Sequence, residues 1–153
     1  MFSNLKVTYV CVTFKLRIMQ EEIKQTWHFN QSPQMVWDYL TKPELMEQWL
    51  GIADIQPVVG HKFSITGKKG SEIFCEVLEV KPFAKLSYSW HRNSAKDNKP
   101  YTSKVVWTLI EKANGTELQL VHNGFIALED YTAHNNGWKV IENRLVELLI
   151  AAK

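Results

Sequence analysis

The sequence is poor in cysteine and in net charge. Cys11 and Cys75 are its only cysteines, and they form neither a CxxC pattern nor a disulfide-rich framework. A reducing cytoplasm is therefore the predicted compartment, while a single disulfide between the two stays an open alternative. The formal net charge of +2 is too small to attract nucleic acid or an acidic membrane surface, so we expect no nucleic-acid partner.

Long apolar runs are also missing. The N-terminal run VTYVCVTF, residues 7–14, is far shorter than the about 20 apolar residues that cross a bilayer. Lys15 and Arg17 follow it without a small-residue cleavage site, so neither a signal peptide nor membrane insertion is predicted. We predict one domain at 19–153 behind an extension at 1–18, which is either a disordered upstream segment or an extra edge strand.

Catalytic motifs are absent too. The chain has no HExxH, GxSxG, Walker or GxGxxG pattern, and no cysteine and histidine in a nucleophile arrangement. None of its five histidines is spaced as a metal ligand; they are His28, His61, His91, His122 and His134. We therefore predict no metal, no cofactor and no assignable catalytic residue, which disfavours enzyme activity but leaves it open.

The remaining ionisable candidates are isolated side chains in strand patterns. His122 shares a strand face with Leu120, and we expect its ring to bond a neighbouring carbonyl. Glu72 and Glu76 share one face of their strand, while Glu79 is predicted to point to the other. A carboxylate pair suits acid–base chemistry, but glutamates of this kind are more often solvated or paired with lysines, as we expect here.

Two short helices are predicted after the first strand. Residues 22–29 alternate apolar and polar side chains, which is typical of a strand with one wet face. Ser32 and Pro33 form a helix-start signal, since serine caps free N–H groups and proline suits the first helical position. The stretch PELMEQWL at 43–50 predicts a second helix with its apolar residues on one face.

The rest of the chain reads as strands and one long helix. Alternation predicts further strands near 62–66, 73–80, 86–91, 105–109 and 118–122, which makes six or seven in all. Apolar residues then recur at helical spacing between Trp138 and Ala152, in an amphipathic helix that begins near Asp130. This order indicates an α+β fold, a curved antiparallel sheet wrapped around a long C-terminal helix.

Aromatic side chains are abundant, with six Trp, five Tyr and seven Phe. A sheet bent around one helix rarely closes at its open end, where aromatic residues can line a cavity as well as fill a core. The predicted ligand-binding residues are Trp37, Trp49, Phe63, Tyr88, Trp90, Trp107, His122, Phe125, Trp138, Ile141 and Leu145. Trp49 is either a core plug or a cavity lid, and Gly51 beside it favours the lid by letting the segment bend.

Four stretches carry a resemblance to a known family. They are SPQMVWDYLTKPELMEQWL at 32–50, EVLEVKPFAKLSYSW at 76–90 preceded by Gly70, VVWTLIEKANGTELQLVHNGF at 105–125, and GW at 137–138 followed by Leu145. In this order they resemble the START-like or SRPBCC superfamily and, within it, the homologues of the activator of heat-shock-protein-ninety ATPase. The match spans about residues 20–153. It implies a helix-grip fold with a hydrophobic cavity between the sheet and the long helix.

The resemblance does not imply one activity, because relatives include chaperone activators, polyketide cyclases and aromatases, and lipid carriers. The leading hypothesis is binding of a small hydrophobic or amphipathic molecule, lipid-like or polyketide-like, in the cavity. A second hypothesis is a cyclase or hydrolase that uses Tyr88, His122 or Glu76 as acid or base. A third is a modulator of a chaperone ATPase that acts by protein–protein contact. The chain is expected to be a monomer or a weak dimer.

Overall fold

The computed structural model describes residues 21–67 and 70–152. The extension predicted at 1–18 lies outside the described residues, as do Lys68 and Lys69. Within the described ranges the chain forms seven strands and three helices, in the order that the sequence predicts apart from one added strand.

The first strand and the two short helices follow the predicted signals. Strand β1 spans Ile23–Phe29, helix α1 spans Pro33–Thr41, and helix α2 spans Pro43–Met46. The Ser32 hydroxyl accepts a hydrogen bond from the Met35 N–H at 3.3 Å, which confirms the predicted cap of α1. A proline begins each helix, because its fixed φ suits that position and its missing N–H has no partner to lose there.

Helix α2 is shorter than predicted. It ends at Met46, whose carbonyl accepts hydrogen bonds from the N–H groups of Trp49 and Leu50 as the chain tightens into turns. Gly51 has a different role from the predicted bending point. A Cβ at Gly51 would lie 2.6 Å from the Thr66 carbonyl oxygen, so the glycine allows this segment to approach the sheet closely.

The remaining elements build one sheet and one long helix. They are β2 (Ile52–Ala53), β3 (Lys62–Thr66), β4 (Glu72–Lys81), β5 (Lys85–Asn93), β6 (Pro100–Lys112), β7 (Gly115–Asn123) and α3 (Leu128–Ala151). The strand order is β1-β7-β6-β5-β4-β3-β2, and every neighbouring pair is antiparallel. Strand β2 has two residues, too few for an alternation to reveal. The predicted α+β helix-grip fold is confirmed.

Alternate residues of each strand form the inner face of the sheet, which α3 covers. On β7 the side chains of Leu118, Leu120 and His122 are buried, as predicted, while their neighbours are partly exposed. Helix α3 contributes Trp138 and Leu145 to the same core and begins at the second residue before the predicted start. The core therefore lies between the inner face and the apolar face of α3.

A β-bulge in β4 changes where its glutamates point. The register with β5 shifts just before Glu79, which therefore pairs with Ser87 on the outer face of the sheet. The prediction that Glu79 points away from Glu72 and Glu76 is wrong, because one extra residue reverses the alternation. Glu79 forms an ion pair with Lys85 at 3.2 Å, in keeping with the expected lysine partners.

Candidate functional site

A cavity of about 220 Å³ lies between α3 and the inner face of β3, β4 and β5; we call it the α3 cavity. Its large apolar wall residues are Leu50, Ile65, Ile73, Trp90, Trp138 and Ile141. Its small residues are Gly67, Ala95, Ala133 and Gly137, and its polar residues are Ser71, Arg92, Asp130 and His134.

The cavity exists because α3 presents small side chains to the sheet at this point. Ala133 and Gly137 are four residues apart and therefore lie on the same side of the helix. A Cβ added at Gly137 would meet no atom within 4 Å outside its own helix. The helix thus leaves space open opposite Trp90, and Ile65, Ile73 and Trp90 form the wall on the side of the sheet.

The predicted site residues divide between the cavity and the surrounding core. Trp90, Trp138 and Ile141 line the α3 cavity. The others lie in the buried core without lining it; they are Trp37, Trp49, Phe63, Tyr88, Trp107, His122, Phe125 and Leu145. Trp37 packs against Phe83 and not against the cavity wall, with 6.1 Å between the centroids of the two rings.

Trp49 is enclosed in the core. Its side chain is 1% exposed, and its ring meets Trp107 edge to face with 5.9 Å between centroids. The Trp49 indole N–H donates a hydrogen bond to the Tyr39 carbonyl at 2.9 Å. The next residue, Leu50, is the one from this segment that reaches the α3 cavity. This geometry favours the plug over the lid.

A tryptophan–histidine pair forms part of the cavity wall. The Trp90 indole N–H donates to His134 Nε2 at 3.1 Å, so this nitrogen carries no proton. His134 Nδ1 lies 2.7 Å from the Asp130 carbonyl, which can only accept, so Nδ1 carries the proton. Burial lowers the pKa of His134, and the Arg92 charge lowers it further. The ring is therefore neutral and fixed in one tautomer.

A second pair lies directly behind the first. The Trp138 indole N–H donates to His122 Nδ1 at 3.0 Å, so the other nitrogen, Nε2, carries the proton. His122 Nε2 donates to the Ser103 hydroxyl at 2.8 Å, which in turn donates to the Trp90 carbonyl at 3.2 Å. The expected direct bond from His122 to a carbonyl is thus wrong, because Ser103 stands between them.

The three side chains considered as acid or base do not form a catalytic set. Burial and the nearby His134 lower the pKa of His122 to about 2, far below the range useful to a base at neutral pH. Burial raises the pKa of Tyr88, whose hydroxyl accepts the Trp107 indole N–H at 2.9 Å. Glu76 lies on the outer face of the sheet, away from both. None of the three lines the α3 cavity, so the hypothesis that Tyr88, His122 or Glu76 acts there as acid or base is not supported.

The polar end of the α3 cavity joins the β5–β6 loop to the start of α3. Asp130 is 3% exposed and accepts hydrogen bonds from the Ser94 hydroxyl and from the Ala95 N–H, the latter at 2.7 Å. Arg92 stands beside it as a cavity residue on β5, opposite Tyr101 of β6. One acidic and one basic side chain thus meet the apolar wall at this end.

Sequence reasoning missed the polar end of the cavity. Arg92 continues the inward alternation of Tyr88 and Trp90, but the predicted strand ends at His91 and leaves Arg92 out. The structure extends β5 to Asn93, so the alternation was the signal that placed this side chain inward. The spacing of Ala133 and Gly137, small residues on one helix face, was the corresponding signal on α3.

The described residues hold neither a candidate metal-ion cluster nor a membrane-spanning helix. Across residues 21–67 and 70–152, no group of three or more His, Cys, Asp or Glu side chains is arranged to hold a metal ion. None of the helices in these ranges has the length and apolar character needed to cross a membrane.

A seven-stranded antiparallel sheet curled around a C-terminal helix, with an apolar cavity beneath that helix, defines a protein of the helix-grip, START-like class. The chain belongs to the family described as Activator of Hsp90 ATPase homolog 1-like protein, because the model of that family matches residues 30–150. A comparison with functionally curated proteins gave no significant match.

Solved structures with the same fold include three informative relatives. The chain is similar to protein MLL2253 from Mesorhizobium loti, with 31% identity, a TM-score of 0.81, and coverage of 87% of this chain and 99% of that one. The Aha1 dimer from Colwellia psychrerythraea has 19% identity and a TM-score of 0.73, over 87% of this chain and 98% of that one. DynU16, a protein in the dynemicin biosynthetic locus, has 20% identity and a TM-score of 0.74, over 86% of this chain and 48% of that one. The last two show the fold alone.

Proposed function

We propose that the protein binds a small apolar or amphipathic molecule in the α3 cavity. The observation that carries this proposal is the apolar wall, in which Ile65, Ile73 and Ile141 and the edges of the nearly buried Trp90 and Trp138 border a space that α3 leaves unfilled. Binding sites for small molecules are typically concave and mostly apolar, with a few polar groups that orient the ligand. Arg92 and Asp130 supply such groups here.

The size of the cavity limits the occupant. Pockets for drug-sized ligands measure roughly 300–1,000 Å³, and the α3 cavity measures about 220 Å³. A compound of one or two rings fits such a volume, whereas a long lipid chain would have to extend beyond it. The resemblance to a superfamily that includes polyketide cyclases and lipid carriers supports including polyketide fragments and short-chain lipids among the compounds tested.

Intrinsic tryptophan fluorescence provides the test, because two tryptophans line the cavity. A titration with a panel of polyketide fragments and short-chain lipids should give a saturable change with at least one member. Gly137→Leu should abolish this response, since the leucine side chain extends into the cavity. The variant should fold, because a Cβ at this position meets no neighbour and leucine favours a helix more than glycine does.

A matched control places the same side chain elsewhere on α3. Asn143→Leu adds a leucine at an exposed position that does not line the cavity, and it should bind as the wild type does. Thermal unfolding of both variants shows whether each is folded. Wild-type affinity in folded Gly137→Leu, or no saturable response to any compound in the wild type, would contradict the proposal.

The family supplies a second candidate, modulation of a chaperone ATPase, since its description names activation of the Hsp90 ATPase. Adding the protein to the Hsp90-type chaperone of its own host should then change the rate of ATP turnover. No change at a several-fold molar excess would discard this candidate. The same preparation, run on a sizing column, tests the expected monomer or weak dimer, an issue that the dimer of the Colwellia protein makes relevant.

A further inference from the structure

Arg92 is a charged residue on the inner face of the sheet. It follows Trp90 in the alternation of β5, lines the α3 cavity and is only partly exposed. None of the ion pairs or side-chain hydrogen bonds found within residues 21–67 and 70–152 involves its guanidinium group. A partly buried guanidinium has donors to spare, since all its polar atoms donate and none accepts.

Asp130, the acidic residue of the cavity wall, is bonded to groups other than the Arg92 guanidinium. One of its carboxylate oxygens accepts from the Ser94 hydroxyl and the other from the Ala95 N–H. Asp130 also lies in the first turn of α3, where the helix dipole stabilises a negative charge. The Asp130 carboxylate is therefore stabilised without Arg92.

Other polar groups near Arg92 form no hydrogen bond with its guanidinium in the described part of the chain. Both ring nitrogens of His134 are occupied, one by Trp90 and the other by the Asp130 carbonyl. Tyr101, directly across from Arg92 on β6, is 6% exposed, and its hydroxyl has no hydrogen-bond partner within the described ranges. The Arg92 guanidinium is thus left without a hydrogen-bonded partner at this end of the cavity in the described part of the chain.

We propose that the molecule bound in the α3 cavity is a small aromatic carboxylic acid, whose carboxylate pairs with Arg92 while its ring lies against Trp90 and Trp138. This inference rests on the proposed function and names the class of ligand. A guanidinium matches a carboxylate with two parallel hydrogen bonds. A singly charged acid suits the site better than a doubly charged phosphate, because Asp130 nearby repels a second negative charge.

Matched pairs of acids and amides test the role of the charge. Calorimetric titrations would compare benzoate, 1-naphthoate and 2-naphthoate with the corresponding neutral amides, which have nearly the same shape. A charge-assisted hydrogen bond predicts that the wild type binds the acid about tenfold to a hundredfold more tightly than its amide. Arg92→Gln should bring this ratio close to one.

Two further variants make the result specific. Arg144→Gln removes an arginine of α3 that lines a separate surface pocket beside Gly51 and Thr66 but not the α3 cavity. This variant should keep the wild-type ratio. Arg92→Lys keeps the charge but loses the planar fork, so its ratio should be intermediate. If Arg92→Gln does not fold, the ratio measured for Arg92→Lys decides the matter.

The outcomes separate this inference from the function on which it rests. Equal binding of acids and amides to the wild type, or an unchanged ratio in Arg92→Gln, overturns the assignment of the acid class and leaves ligand binding intact. No binding of any acid or amide overturns the inference, and the polyketide and lipid panel then decides the broader proposal.

Discussion

The inner face of the sheet has a packed part and a hollow part, and tryptophans build both. In the packed part the Trp107 ring lies 6.1 Å from Trp27 and 5.9 Å from Trp49, with no space between them for a ligand. In the hollow part the rings of Trp90 and Trp138 are similarly close, at 5.5 Å, yet both border the α3 cavity. The spacing of the tryptophans therefore does not distinguish the two parts.

The difference lies in the helix that covers them. Toward its C-terminal end α3 presents Leu145 and Leu149, both almost fully buried, and these side chains fill the core. Toward its N-terminal end it presents Ala133 and Gly137, which leave the volume beside Trp90 empty. Aliphatic and aromatic side chains together form the wall of the cavity, and the small residues of the helix decide where it opens.

Truncation in the packed part should have the largest effect on stability. Trp49→Ala should lower the free energy of unfolding by about 3–5 kcal/mol, since it removes a buried ring that packs on Trp107. Urea denaturation measures this loss. Ligand affinity of the folded protein should stay the same, because Trp49 does not line the α3 cavity.

The matched change in the hollow part is Ile141→Ala. Ile141 lines the cavity and is partly buried, so its truncation should cost about 2 kcal/mol or less and should alter ligand affinity. The reverse pattern, in which Trp49→Ala changes binding and costs little stability, would mean that Trp49 is a cavity lid. The packed and hollow parts would then not differ as described.

Acid should destabilise the protein through the neutral histidines behind the cavity. The pKa of His122 is lowered to about 2, whereas a histidine in an unfolded chain titrates near 6.5. Between these values the unfolded state binds a proton that the native state does not, so stability is lost as the pH falls below 6.5. At about 1.36 kcal/mol per pH unit, His122 alone predicts a loss of about 2 kcal/mol between pH 6.5 and pH 5.0.

Urea denaturation at these two pH values measures the effect. His122→Gln should reduce the loss by about 2 kcal/mol relative to the wild type, although the variant starts from a lower stability because it disturbs the bonds to Trp138 and Ser103. His28→Gln, at an exposed position, is the control and should follow the wild type. The same pH dependence in all three proteins would mean that His122 is not buried as a neutral ring.

More of the fold than of the candidate site could be predicted from the sequence, for a physical reason. Alternation along strands, the Ser32 cap and the apolar face of α3 are local patterns, and each predicts its element without knowledge of the others. A bulge such as the one before Glu79 depends on two strands, and a cavity depends on the volumes of facing side chains. Trp90 and Trp138 could be predicted as ligand-binding residues because they are aromatic. Gly137 contributes to the cavity by having no side chain, which a sequence pattern does not show.

The smallest effect expected is also the most direct test of the hollow part. Gly137→Ala should raise the free energy of unfolding by about 1 kcal/mol, because alanine favours a helix interior over glycine and its Cβ meets open space. Gly51→Ala is the counterpart, and it should destabilise the protein, since its Cβ would collide with the Thr66 carbonyl oxygen. Thermal unfolding of both variants gives the two signs. If Gly137→Ala destabilised the protein as well, the space beside Gly137 would already be filled, and α3 would cover a uniformly packed core.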